Sequence, residues 1–107
     1  MLSSNEEVMK NACIVLQNIA ANENNIIIIA KEGGISIVSN IMKMHASNEK
    51  VMGIACGALW SIAMNENNEI IIVKEGGIPV LLHIMKRHAS NVNLMHICKT
   101  LSTLLNG

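Results

Sequence analysis

A segment of 43 residues is repeated along the chain. Residues 5–47 recur as residues 48–90, the two copies agree at 27 of 43 positions, and a third copy begins at Asn91. A period in the low forties without gaps is typical of two- or three-helix repeats, in which each unit buries its apolar face against its neighbours. The sequence therefore predicts an all-α protein with one core, built as a short stack of helices.

Composition narrows the classes of function. Half of the residues are apolar, mostly aliphatic, with no Phe or Tyr and one Trp. Eight basic and eight acidic residues are scattered and cancel, which argues against a nucleic-acid partner. The longest apolar run, about five residues, is far shorter than the roughly 20 needed to span a bilayer. We expect no membrane partner.

The three cysteines are predicted to be buried thiols. Cys13, Cys56 and Cys98 form no CxxC pair, and the first two occupy the same position in their copies. An odd number of such cysteines indicates a reducing, intracellular compartment, the cytoplasm or the nucleus. Neither they nor the four histidines show metal-ligand spacing, so no metal and no cofactor are expected.

Each copy begins with a predicted long helix. Its apolar residues lie four, four and three residues apart, which places them on one stripe. We expect this stripe to be buried, and Ser4 with Glu7 to form a capping box at the first helix. The stripe consists of Val8, Ala12, Leu16 and Ile19, and then of Val51, Ala55, Leu59 and Ile62.

The third copy lacks one residue between Met95 and Cys98. If Cys98 is aligned with Cys56, the residues after it are shifted by one position relative to the second copy, which predicts a phase slip in the last helix. The stripe then continues through Leu94, Cys98, Leu101 and Leu104.

Two shorter helices are predicted in each unit. The Ile- and Val-rich runs 26–29 and 70–73 favour strands on propensity alone. An Asn-Glu-Asn-Asn sequence before each run and a Gly-Gly pair after it are instead typical of a capped helix. The segments 35–46 and 78–89 are expected to be helical as well, with Pro79 in a first turn.

Three strings of residues resemble the armadillo repeat. They are residues 23–35, residues 66–82, and the long-helix segment 55–63 with the pattern AxxALxxIA. The resemblance implies a right-handed α-α superhelix of about two and a half repeats. It also implies boundaries at 1–22 for a partial unit's long third helix, 23–64 for one full unit and 65–107 for a second.

Armadillo proteins similar to importin alpha and beta-catenin bind extended peptides in a concave groove of third helices. Asparagines there hold the peptide backbone, and in importins tryptophans one turn earlier form slots for basic side chains. The importin pattern is mostly absent from this chain. The asparagine position is occupied by Asn18, Ser61 and Thr103, and the tryptophan position by Ile14, Gly57 and Lys99.

Trp60 is the only aromatic residue. Its counterparts, Gln17 and Ser102, are polar, which predicts a solvent-facing position in all three long helices. It is interpreted either as a contact residue for a partner or as a spacer that packs against an adjacent long helix.

Other repeated or unusual residues have a structural explanation beside the functional one. Gly53 and Gly57, one turn apart, form a smooth shelf for another backbone, or else they reflect relaxed selection or tight helix packing within the stack. His45 and His88 occupy equal positions after the second helices and are interpreted as loop or cap residues.

Two classes of function remain. The first is a non-enzymatic scaffold that binds a protein or an extended peptide on its long helices. The alternative is a structural unit, or a fragment of a longer solenoid, that forms homo-oligomers through uncapped apolar ends. For that case we expect contacts at Leu101, Leu104 and Leu105. An enzyme is not expected, because no acid/base pair or phosphate loop is present.

Overall fold

A computed structural model describes residues 5–106, and this part of the chain is all-helical. Residues 1–4 and 107, at the ends of the first and last predicted units, lie outside it. Among the described residues no single helix is both long and apolar enough to cross a membrane, although the helices Glu23–Lys31 and Gly34–Met44 together, bent by 75°, meet the length and composition of a broken span. The helices are α1 (Glu6–Ile19), α2 (Glu23–Lys31), α3 (Gly34–Met44), α4 (Glu49–Ile62), α5 (Glu66–Lys74), α6 (Gly77–Arg87) and α7 (Val92–Asn106).

The isoleucine runs are helical, as the capping residues predicted. The side-chain oxygen of Asn22 accepts a hydrogen bond from the amide of Asn24 at 2.9 Å, and Asn65 caps α5 in the same way. In α2 the run places Ile26 and Ile29 in the core. Tertiary burial and local capping thus outweigh the strand propensity of isoleucine.

The two glycines of each pair have different tasks. Gly33 and Gly76 adopt left-handed backbone conformations, with φ of 82° and 80°, where a Cβ atom is unfavourable. A Cβ on Gly34 would lie 2.9 Å from the carbonyl oxygen of Ile29. In the second unit, a Cβ on Gly77 would lie 2.9 Å from the carbonyl oxygen of Ile72. The first glycine therefore ends one helix, and the second allows the next helix to start close to it.

Asparagines cap the long helices. Asn5, Asn48 and Asn91 each accept, through the side-chain oxygen, the backbone amide three residues further on, at 3.0 to 3.1 Å. Ser4, the residue predicted to cap α1, lies outside the described residues. Asn5 therefore fills that role in the described part of the chain.

Helices at equal positions in the repeat pack against each other. The long helix α4 contacts both α1 and α7, while α2 packs on α5 and α3 on α6. The predicted stripe is buried in α4. In α1 the prediction is wrong for Val8 and Ile19, which are exposed, because α1 buries the side that faces α4 instead, chiefly through Met9 and Cys13.

Polar side chains connect successive units. Asn48 donates a hydrogen bond through Nδ2 to Glu6 at 2.6 Å, and Asn91 repeats this contact with Glu49 at 3.0 Å. The buried ring of His88 lies with Nε2 2.6 Å from the carbonyl oxygen of Ala46. His88 is the C-terminal cap of α6, and its repeat equivalent caps α3, so the predicted cap role is confirmed.

The last helix is continuous, so the predicted phase slip is wrong. Residues 92–106 form one α-helix, and its buried residues each lie 43 positions after a buried residue of α4. The offset between the two helices is therefore constant. Leu101 and Leu105 are buried and Leu104 is half-buried. Leu101 and Leu105 are therefore covered within the chain and do not form the expected open surface, whereas Leu104 remains partly accessible.

Candidate functional site

Trp60 separates two clefts on the surface formed by the long helices. Its side chain is 41% exposed, which confirms the predicted solvent-facing position. Trp60 and Ser61 line both clefts. The first, of about 340 Å³, is also lined by Gln17, Gly57, His96, Ile97 and Thr100. The second, of about 470 Å³, is also lined by Ala20, Ala21, Glu23, Ile26, Met64 and Asn65.

A third cleft, of about 280 Å³, lies toward the beginning of α4 and shares Ile97 with the first. It is lined on α4 by Glu49, Lys50 and Gly53. Because Gly53, Gly57 and Ser61 are four residues apart, the three clefts follow one side of α4. We call this line of clefts, from Gly53 to Met64, the α4 groove. At 1.5 Å per residue it is roughly 17 Å long, enough for about five residues of extended chain.

Two residues without side chains, Gly53 and Gly57, line the α4 groove. A Cβ on Gly53 would meet no atom within 4 Å, whereas a Cβ on Gly57 would lie 3.1 Å from Nε2 of Gln17. In α1 the equivalent positions carry Lys10 and Ile14. Gly53 is therefore open to an approaching chain, and Gly57 makes room for the amide of Gln17.

The hydroxyl groups near the groove are oriented by their own helices. Ser61 donates to the carbonyl oxygen of Gly57 at 3.3 Å, and Thr100 donates to that of His96 at 3.0 Å. A hydroxyl has one hydrogen to donate and two lone pairs. These two oxygens therefore remain able to accept hydrogen bonds from a ligand's N–H groups.

The predicted site residues are only partly brought together. Gly57, Trp60 and Ser61 meet at the clefts. Ile14 and Asn18 are exposed on α1 but line neither cleft beside Trp60.

The predicted residues of α7 also lie away from Trp60. Lys99 is exposed outside these clefts. Thr103 lines a separate cleft of about 600 Å³, together with Glu66, Glu69, Ile70 and Leu104.

Sequence reasoning missed Thr100 and Ile97. The alignment of Cys98 with Cys56 placed the missing residue inside α7 and moved each later position by one. With a continuous helix, Thr100 corresponds to Gly57 at an offset of 43, and Thr103 corresponds to Trp60. The constant period was therefore the signal that could have identified Thr100.

The thiols belong to the core and not to this site. All three are buried and free, and the sulfurs of Cys56 and Cys98 are 3.9 Å apart. Burial raises the pKa of Cys13 from 9.0 to about 11, and the hydrogen-bonding contact with Cys98, together with burial, raises the pKa of Cys56 well above 9.0. Cys13 and Cys56 are therefore poor nucleophiles. The hydrogen-bonding contact with Cys56 lowers the pKa of Cys98, which is buried in the core and lines neither cleft beside Trp60.

Charged side chains lie toward the two ends of the α4 groove, where Glu49 and Lys50 line the third cleft and Glu23 lines the second. Of the described residues that line the first cleft, His96 is the only titratable one. Between residues 5 and 106 no group of three or more His, Cys, Asp or Glu side chains is arranged to hold a metal ion. Comparison of the chain with protein-family models, curated proteins and solved structures finds no match.

Proposed function

We propose that the chain is a non-enzymatic binding module of armadillo type, whose α4 groove holds an extended segment of a protein or peptide. The observation that carries this proposal is the line of clefts along α4, centred on the half-exposed Trp60. The order of helices within each unit, short, medium and long, and the stacking of the long helices support the armadillo resemblance.

The groove offers complementary groups to a peptide. Trp60 provides a large rigid apolar surface, the type of residue enriched among interface anchors. Ser61 and Thr100 accept hydrogen bonds from backbone N–H groups, and the amide of Gln17 can both donate and accept. Because Gly53 carries no side chain, the peptide backbone can approach α4 closely there.

The lining of the first cleft supports a binding role without catalysis. General acid/base catalysis needs a positioned pair of ionisable groups or an activated nucleophile. The described lining of the first cleft supplies His96 and hydroxyls that already donate to their own helix carbonyls. The charged residues of the groove, Glu23, Glu49 and Lys50, line the other two clefts. We propose the cytoplasm or the nucleus as the location of binding, in accord with the free thiols.

Trp60 supplies a direct test, because it is the only aromatic residue and therefore the only source of intrinsic fluorescence. Peptides selected from an immobilised array should shift its emission when they bind. Calorimetry should then show binding weakened at least about tenfold by Trp60→Ala, or about 1.4 kcal/mol. The melting temperature of this variant should stay nearly unchanged.

Leu82→Ala is the matched control. Leu82 is exposed on α6, outside the α4 groove, and is similarly apolar. Its removal should leave peptide affinity unchanged. The proposal fails if Trp60→Ala binds as tightly as the wild-type chain. A fall of many degrees in the melting temperature of Trp60→Ala would also contradict it, since Trp60 would then be a core residue.

A second candidate function is a structural one, in which the chain is an assembly unit or a portion of a longer solenoid. The observation that favours it is a set of exposed apolar side chains on α1, namely Val8, Val15 and Ile19. Exposed apolar patches of several hundred Å² mark interaction sites. A homo-oligomer would cover these side chains.

A further inference from the structure

The two ends of the helix stack differ in chemistry. In α4 and α7, one side of the helix packs against the preceding long helix. We call this side, and the equivalent side of α1, the entry face. Its residues are deeply buried in both of those helices, whereas in α1 three of the four are exposed. The entry face consists of Val8, Ala12, Val15 and Ile19 in α1, of Val51, Ala55, Ala58 and Ile62 in α4, and of Leu94, Cys98, Leu101 and Leu105 in α7.

The shorter helices show the same difference. Ile37 on α3 is exposed, whereas its equivalent Val80 on α6 is buried. Ile28 on α2 is exposed, and its equivalent Ile71 is partly buried against the core. The apolar surface therefore extends over the whole unit that begins the described stack.

The long helix at the opposite end, α7, has a largely polar outer side, and the exposed apolar residue Leu82 lies beside it on α6. We define the exit face as the side that packs against the following long helix. On α1 and α4 it carries Met, Cys, Leu and Ala in order, and on α7 only the first position remains apolar. Glu69 also takes the place that Ile26 has in the first unit. The exit face consists of Met9, Cys13, Leu16 and Ala20, then Met52, Cys56, Leu59 and Ala63, and then Met95, Lys99, Ser102 and Asn106.

This asymmetry argues against head-to-tail stacking of copies. Such stacking would press Val15 of one copy against Lys99 and Ser102 of the next. Burying an ammonium or hydroxyl group without a partner costs free energy. An apolar surface is better covered by another apolar surface.

We propose that the entry face of α1 pairs with the same face of a second copy of this chain across a twofold axis. The proposal rests on the second of the two functions above. Spacings of four, three and four residues along Val8, Ala12, Val15 and Ile19 form a seam of the kind that packs two helices together. Within the chain, the same positions already pack helix on helix in α4 and α7.

The charges on α1 fit this pairing. Lys10 is the only charged residue between positions 8 and 19, and its Nζ lies 2.8 Å from Glu7 of the same helix. The seam is flanked by the exposed amides of Asn11 and Asn18. Two copies therefore bring no unpaired like charges together, and the small side chain of Ala12 allows the helices to approach closely.

A twofold pairing also closes the assembly. The surface that pairs is used by both copies, so no further copy can add to it. The polar exit faces point outward at both ends. The expected species is a dimer and not a filament.

Sedimentation of the full chain from low-micromolar to near-millimolar concentration tests the proposal. The wild-type chain should sediment as a dimer at the upper end. Val15→Glu places a charge at the centre of the seam and should be monomeric at every concentration at which the wild-type chain is dimeric. Its circular dichroism should remain that of the wild-type chain, because Val15 is 55% exposed.

Leu82→Glu is the control at the other end, since Leu82 is 52% exposed on α6. It should dimerise as the wild-type chain does. If the chain assembles but is disrupted by Leu82→Glu and not by Val15→Glu, the assembly function survives and the entry-face pairing is wrong. A wild-type chain that is monomeric throughout overturns both the entry-face pairing and the assembly of this chain into homo-oligomers.

Discussion

The helices α1 and α4 share most of their sequence and differ in what they bury. Val51 and Ile62 on α4 are 1% and 0% exposed, whereas their equivalents on α1, Val8 and Ile19, are 49% and 41% exposed. The residues are the same and both helices are formed and capped. Burial in this protein is therefore a property of the position in the stack and not of the residue.

The comparison also explains why α4 holds the candidate groove. It is the long helix with a neighbour on each side, so clefts form at both of its junctions. At the positions where α1 carries Lys10 and Ile14, α4 carries Gly53 and Gly57. No side chain projects from α4 at these positions. Two differences, one of neighbours and one of side chains, distinguish the two copies.

The largest expected effect is an unequal cost of the same truncation in the two helices. Ile62→Ala should destabilise the chain by about 2–5 kcal/mol, because it leaves a cavity in the core. Ile19→Ala should cost less than about 1 kcal/mol, as surface substitutions usually do. Urea unfolding at concentrations where the chain is monomeric measures both. Equal costs would mean that the entry face of α1 is covered within the single chain.

A smaller loss of stability should be equal in the two units, because the close contact that causes it lies within each unit. Gly34→Ala and Gly77→Ala each place a Cβ 2.9 Å from a carbonyl oxygen, of Ile29 and Ile72 respectively. Such overpacking typically costs about 1–3 kcal/mol. Thermal unfolding should show similar losses for the two variants. A loss confined to one unit would show that this turn, too, depends on the position in the stack.

The smallest expected effect concerns the glycines that distinguish α4 from α1. Gly53→Ala should stabilise the chain by up to about 1 kcal/mol, since alanine favours helix and the added Cβ meets open space. Gly57→Ala should gain less, because its Cβ would lie 3.1 Å from the amide of Gln17. Chemical denaturation of each variant measures these differences.

The same glycine variants sharpen the functional comparison. With both glycines replaced by alanine, the added methyl groups occupy part of the α4 groove. Binding of the selected peptides should therefore weaken, although the chain is more stable. Unchanged peptide affinity in the double variant would remove the shelf interpretation of Gly53 and Gly57.

Local features were predictable because their causes are local. The asparagine caps and the glycine pairs identified helix ends in residues 22–34 and 65–77, even though the isoleucine runs favour strands by propensity. Capping is decided by atoms three or four residues apart, and a left-handed turn by one backbone angle. The sequence displays both directly.

The site was predictable only in part, because it depends on the relation between helices. Trp60 was identified as exposed from its polar counterparts, and Gly57 and Ser61 lie beside it as expected. Thr100 was missed because identity of the cysteines suggested a slip that a continuous α7 does not have. A one-residue error of register rotates a helix position by about 100°, enough to exchange a groove residue for one outside it.

The sequence by itself determined the helices, their order and their ends, because the repeat period, the caps and the glycines act over a few residues. Tertiary structure alone decided which copies of the apolar stripe are buried, that Leu101 and Leu105 point inward, and that Thr100 lines the same cleft as Trp60. The physical reason is that a repeat unit has no core of its own. Each apolar face is hidden or exposed according to what packs on it, and identical residues on α1 and α4 therefore have different surroundings.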